Sequence, residues 1–144
     1  VLEECQISPP SDSVPAPSSL PLTFFDIMFL TTLPVHRLFF YKYHHPRAHF
    51  LDTVLPNIKN SLSLTLQHFH PYAGNIKWPQ ESAKPELVYA EGDAVPLTVA
   101  ESDYEFYQLS GNHARDASVF PPLIPKLSYT IILMKNLYPY WLCK

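Results

Sequence analysis

Glycine is scarce in this sequence. The 144 residues hold three, Gly74, Gly92 and Gly111. Glycines so far apart cannot build a phosphate cradle, which excludes a P-loop or a dinucleotide-binding turn within these residues. Cysteine is scarcer still. Cys5 and Cys143 stand at opposite ends, too few for a disulfide framework, and two free thiols in a reducing cytosol are expected. Basic clusters are missing as well. Ten Lys and Arg stand against thirteen Asp and Glu, for a net charge of −3. With no basic stripe, neither nucleic acid nor an acidic membrane surface is expected as a partner. There is no long apolar run. Ser128 to Leu142 is apolar, but Lys135, Asn136 and Pro139 interrupt it, and it is shorter than the ~20 residues that span a bilayer. The N-terminus shows no basic stretch leading into an apolar one, so no secretory signal is expected and the location implied is cytoplasmic. The first residue is Val rather than Met, so an initiator is expected to precede it.

Apolar residues make up 47% of the chain and prolines number sixteen. The length suits one ordinary domain, and the apolar share suits a packed core. "VLEECQI" has strand character and suits a sheet edge, and "SPPSDSVPAPSS" reads as an extended loop because each Pro fixes φ and removes a donor. Leu20 to Ile27 can open a short helix or turn, and "VHRLFFYKY" after Pro34 alternates like a buried strand.

The longest periodic segment runs from about Arg47 to Phe69. Phe50, Val54, Ile58, Leu62 and Leu66 recur at steps of four, which is an apolar helix stripe. Pro56 inside it implies either a helix start or a kink at that point, and the helix should end before Pro71. "NIKWP" and "PELVYAEGD" read as two strands joined through "QESAK", with "VPLTVAES" as a third. "SDYEFYQLSG" reads as a short helix capped by Ser102 with Glu105 in the capping-box position, and with Gly111 as a left-handed stop. "NHARDASVFPPLIPKL" is a proline-punctuated loop. The pattern predicts an α+β fold with a mixed sheet.

Three histidine groups invite chemistry. His45 and His49 are spaced i, i+4, and Asp52 follows, so a helix could bring all three to a metal. Pro46 disturbs the first turn, and a solvated helix start is preferred, with no metal expected. His113 and Asp116 could be a base and its orienting acid, but residues of this kind more often make turns. His68 and His70 would share one face of an extended segment and could reach a cleft; a polar helix exit is the plainer alternative. No Gly-x-Ser-x-Gly elbow is present.

"SLPLTFFDIMFLTTLPVHRLFFYKY", "LPNIKNSLSLTLQHFHPYAGNIKWP" and "GNHARDASVFPPLIPKL" occur in that order, and together they resemble the plant BAHD acyltransferases. The branch they are most similar to is that of the phenolic-glucoside and anthocyanin malonyltransferases. The resemblance covers residues 1–127 and implies an incomplete N-terminal domain of the two-domain, coenzyme A-dependent acyltransferase fold. Residues 128–144 diverge from what the family leads one to expect. The implied activity moves an acyl group, malonyl in this branch, from acyl-CoA to a hydroxyl of a phenolic or flavonoid glucoside. Malonyl-CoA or another acyl-CoA is then the co-substrate and a small-molecule glucoside the acceptor, with no covalent cofactor.

In the family, the His of an H-x-x-x-D motif removes the acceptor proton. Here the residues four beyond the seven histidines are Phe40, Ala48, His49, Thr53, Tyr72, Gly74 and Ala117. No H-x-x-x-D is present, and D-F-G-W-G is absent too. No catalytic or cofactor-binding residue is therefore assigned, and a chain truncated ahead of its base and inactive alone is expected. Thr31 and Thr32 are carried over by position as acceptor-channel candidates. Asp26 and Arg37, lone charges in an apolar stretch, are expected to be structural and each to have a hydrogen-bonded counterpart. The alternatives are a non-catalytic fragment that associates with a full-length relative through an exposed domain interface, or a non-functional truncation product.

Overall fold

The computed structural model describes residues 1–30, 32, 35–78 and 84–124. The chain divides into two compact units, the first built from Val1–Leu22 and Tyr41–Asp103, the second from Thr23–Phe40 and Tyr104–Lys144.

The first unit holds every described strand. β1 (Glu3–Ile7) pairs antiparallel with β5 (Val95–Val99), Cys5 opposite Leu97. β2 (Ser18–Pro21) and β3 (Asn75–Lys77) flank β4 (Glu86–Tyr89) in a three-stranded sheet, again antiparallel. The α+β class is met, but where one mixed sheet was expected, the described strands form two antiparallel sheets. β3 and β4 pair as the sequence suggests; most of the expected connector, residues 80–83, lies outside the described residues. At the end of β4, Gly92 takes φ 89°. The Asp93 amide donates to the Ala90 carbonyl (3.0 Å), and the Ala90 amide donates back to the Asp93 carboxylate (2.8 Å). That geometry needs φ > 0, which glycine supplies without steric cost.

The long periodic segment is helical from Arg47. α2 (Arg47–His49) runs into a π-helical stretch, Phe50–Val54, and then into α3 (Leu55–His68). Pro56 stands in the first turn of α3, as the expected helix start near it requires, but the chain is already helical ahead of it. In an α-helix its ring would clash with the carbonyl four residues back, and it has no N–H to give. The chain widens instead: the Leu55 amide donates to the carbonyl of Phe50, five residues back. The helix ends before Pro71, in a 3₁₀ turn, His70–Ala73.

Core packing unites β1, α3, the 3₁₀ turn and β4. Ile7, Leu66, Ala73 and Tyr89 are buried together, with Cys5, Leu62 and Leu97 packed against them. Two polar links join α3 to the N-terminal strand: Lys59 pairs with Glu3, and the Ser63 hydroxyl donates to the Ser8 carbonyl at 2.7 Å. Cys5 is a free thiol; Cys143 lies outside the described residues.

In the second unit, α1 (Phe24–Phe29) is short and wholly unburied. α4 (Phe106–Ser110) is followed by 3₁₀ turns at Ala117–Val119 and Pro121–Leu123. Three expectations are corrected here. The residue capping α4 is Glu105, with no side-chain cap bond, rather than Ser102. Gly111 is extended, not left-handed; it is glycine because a Cβ there would stand 2.6 Å from the Tyr107 carbonyl oxygen. Finally, "VHRLFFYKY" is no buried strand. Residues 35–43 belong to no described ladder and are exposed throughout.

Candidate functional site

The two lone charges of the apolar stretch come first. Asp26 occupies the third position of α1 and closes a reciprocal capping box with Thr23. Its carboxylate accepts from the Thr23 amide (2.8 Å) and the Thr23 hydroxyl (2.6 Å). The Asp26 amide donates to the same hydroxyl at 3.4 Å. These bonds favour the charged form, so the Thr23 hydroxyl and amide hold the Asp26 carboxyl below its ordinary value. Asp26 is thus structural and has its counterpart, as expected. Arg37 is exposed and enters no ion pair among the described residues. Water satisfies an exposed guanidinium, so the need for a partner, which rested on burial, does not arise.

Of the two acceptor-channel candidates, Thr31 lies outside the described residues. Thr32 is exposed, and both its amide (3.1 Å) and its hydroxyl (2.8 Å) donate to the Phe29 carbonyl. It closes the C-terminal turn of α1. Its hydroxyl oxygen keeps its acceptor lone pairs, so it can still take a hydrogen bond from a ligand.

Among the described residues the histidines form no acid–base centre. The Tyr43 hydroxyl meets His49 Nδ1, and the His49 ring stacks on His45 with centroids 4.7 Å apart. All three residues are exposed, and the stacked rings do not converge on a metal; among the described residues no group of metal-ligating side chains comes together. The solvated helix start holds. Asp116 spends its carboxylate on the Ser118 amide (2.9 Å), which also lowers its proton affinity. The turn-making role of "NHARD" is therefore the one observed. His68 is exposed at the exit of α3. His70 packs edge-on against Tyr89, centroids 5.4 Å apart, and its Nδ1 is buried without a protein partner. Among the described residues no histidine pairs with a carboxylate.

Two features were missed in the sequence. Arg115, between the weighed His113 and Asp116, donates to the carbonyls of Leu109 and Gly111, the latter at 2.6 Å, and lies over the Phe120 ring at 5.8 Å. It satisfies the open end of α4, a placement that a cation near a helix C-terminus suggests. The second is a cleft of about 330 Å³ in the first unit, lined among others by Ser8, Asp12, Tyr89 and Glu91. It contains no histidine.

These observations define a class: an α+β domain portion whose described residues assemble structural caps and turns but no base-and-acid pair. The matching family model, described as "Transferase family", runs over residues 3–138. The chain belongs to this family, the BAHD acyltransferases. It is 46% identical over 135 residues to the malonyl-coenzyme A:anthocyanin 3-O-glucoside-6''-O-malonyltransferase of Dahlia pinnata, covering 91% of this chain and 29% of that protein. It is 49% identical over 132 residues to the malonyl-coenzyme:anthocyanin 5-O-glucoside-6'''-O-malonyltransferase of Salvia splendens, covering 88% and 27%. It is 44% identical over 129 residues to coumaroyl-CoA:anthocyanidin 3-O-glucoside-6''-O-coumaroyltransferase 1 of Arabidopsis thaliana, again covering 88% and 27%. The chain therefore spans less than a third of the length of these curated relatives. No helix among the described residues is long and apolar enough to cross a membrane.

Proposed function

We propose that this chain supplies N-terminal structure of an acyl-CoA-dependent O-acyltransferase that moves a malonyl group to a hydroxyl of a phenolic or flavonoid glucoside in the cytoplasm. Residues 1–127 are its partial N-terminal domain, and residues 128–144 a divergent tail. The observation that carries the proposal is the match, at 46% and 49% identity, to two malonyltransferases acting on anthocyanin glucosides. In such a transfer the acceptor oxygen attacks the thioester carbonyl while a base takes its proton, and the coenzyme A thiolate leaves. These 144 residues hold no H-x-x-x-D histidine. What they contribute is scaffold, together with Thr31 and Thr32 as acceptor-side residues. By themselves they transfer nothing.

The test is a chimera. The matched 132 residues of the Salvia relative are replaced by those of this chain, and malonyl transfer to an anthocyanin glucoside is followed chromatographically. Transfer within about tenfold of the parent is expected. A folded chimera whose rate falls by about 10²–10⁴, as for a lost general base, would overturn the proposal.

A second reading, a non-catalytic fragment that associates with a longer family chain, is favoured by the exposed apolar side chains of the second unit: Phe24, Phe25, Phe29, Val35 and Phe39 are 66–81% exposed.

A further inference from the structure

The cleft of the first unit opens between the proline-rich loop after β1 and the turn after β4, and holds about 330 Å³. That volume suits a small organic molecule. Both lips are fixed. On one side the Ser13 amide (3.2 Å) and hydroxyl (2.5 Å) donate to the Pro10 carbonyl. Pro9 is buried, and Val14 packs on the core cluster. Asp12 lies between these anchors with φ 56°, a left-handed conformation that Asp tolerates better than most residues. On the other side Gly92 and the reciprocal Ala90–Asp93 bonds close the turn that carries Glu91. Walls held in place before binding lower its ordering cost.

The charge of the cleft is one-sided. Its described lining includes Asp12 and Glu91 and no Lys, Arg or His. Both acids are exposed, and neither side chain enters an ion pair or hydrogen bond among the described residues. Two like charges over one concavity raise the local concentration of cations. Tyr89 adds an independent mark. It is 4% exposed and forms part of the wall. Its hydroxyl makes no hydrogen bond among the described residues. The side-chain atoms sealed off there without a partner are Ser18 Oγ and His70 Nδ1, not this hydroxyl. The Tyr89 hydroxyl therefore reaches open space, and the opening its residue lines is the cleft. A buried side chain that offers one unpaired hydroxyl to a cavity is placed to bond what enters it.

We propose that the cleft binds a short aliphatic diamine. The Asp12 and Glu91 carboxylates take its two ammonium groups, and the Tyr89 hydroxyl oxygen accepts from an N–H that remains. Pro9 and Pro10, which also line the cleft, give the methylenes an apolar wall. A divalent metal ion fits less well. It would want about six to eight oxygens close around it, and among the described residues no three metal-ligating side chains gather. The proposal does not rest on the acyl-transfer reading, which gives no part to any residue of the cleft.

The experiment titrates the purified 144-residue chain with 1,4-diaminobutane, followed by calorimetry and by amide NMR. Saturable binding with a Kd of about 1 mM or tighter is expected, with shifts centred on Asp12 and Glu91. Raising salt from about 50 to about 500 mM should weaken it, because exposed charges are screened. Asp12→Asn and Glu91→Gln should each weaken binding by about three- to fivefold. Both are exposed exchanges of equal size, and Asn tolerates the Asp12 backbone conformation. Tyr89→Phe keeps the ring and removes the hydroxyl, and should weaken binding by about two- to tenfold. Should that variant disturb the core, the two carboxylate variants carry the test. The uncharged 1,4-butanediol should bind at least about tenfold more weakly than the diamine. No saturation by about 10 mM diamine would overturn the proposal. So would shifts centred elsewhere, binding unchanged in both carboxylate variants, or equal binding of the diol. Displacement of the diamine by an equal concentration of calcium or magnesium chloride would assign the cleft to a metal ion and reject the amine.

Discussion

Asp26 shows how much one residue's placement decides. A lone acid among phenylalanines reads as a buried charge, yet it sits at the surface and organises the first turn of α1 through Thr23. The signal was legible: "TFFD" has the spacing of a capping box, with Asp in place of the usual Glu or Gln. The same spacing in "SDYE" does not place Ser102 at the cap, because the helix there begins one residue beyond Glu105. A four-residue pattern offers a cap; where the helix starts decides whether it is used. The Asp26 pKa is depressed in the folded chain, chiefly by the Thr23 hydroxyl and then by the Thr23 amide. Its stabilising contribution is therefore fully present above the ordinary carboxylate range and is lost as pH falls through the depressed value. A carboxyl-carbon NMR titration should place Asp26 below a free aspartate, and Thr23→Ala should move it back up. An unmoved midpoint in that variant would contradict the capping account.

Among the elements, β1, β3, β4, β5 and the long helix were legible because their patterns are local, alternation over five residues in β1 and a four-residue repeat through α3; β2 (Ser18–Pro21), in residues read as a loop and a helix start, was not. The π-helical stretch was not, since Pro56 announces a conflict without saying how the chain resolves it. Nor was the role of Gly74 visible, because the backbone it approaches is distant in sequence. A Cβ at Gly74 would stand 2.7 Å from the Val88 carbonyl carbon and 2.8 Å from Tyr89 Cα, and closer still to the Val88 oxygen. Those neighbours are backbone of β4 and cannot swing aside. Gly74→Ala should therefore cost about 1–3 kcal/mol, the usual range for forced overpacking. Urea unfolding would reveal it as a lower midpoint at unchanged slope. A midpoint equal to that of the parent would mean that β3 and β4 lie further apart than described here. The Lys59–Glu3 link between α3 and β1 is weaker in kind. The bond to Glu3 raises the Lys59 pKa, so its contribution is present below the ordinary lysine value and lost as pH rises through the raised one.

At the scale of the molecule, family membership was the most legible property, because three motif-bearing segments stand in one order along the chain. Strand pairing of residues 35–43 was not, because it depends on neighbours that are not near in sequence. The acyl donor is less legible: it rests on a margin of identity, 46% and 49% to malonyl-transferring relatives against 44% to a coumaroyl-transferring one. Among the described residues the histidines are stacked, exposed or edge-packed, and none pairs with a carboxylate. The direct measurement is product formation by the purified 144-residue chain given malonyl-CoA and an anthocyanin glucoside. No malonylated glucoside above the protein-free background is predicted. Turnover at a rate comparable to that of a full-length relative would show that a proton acceptor already lies within these residues, and would contradict the account.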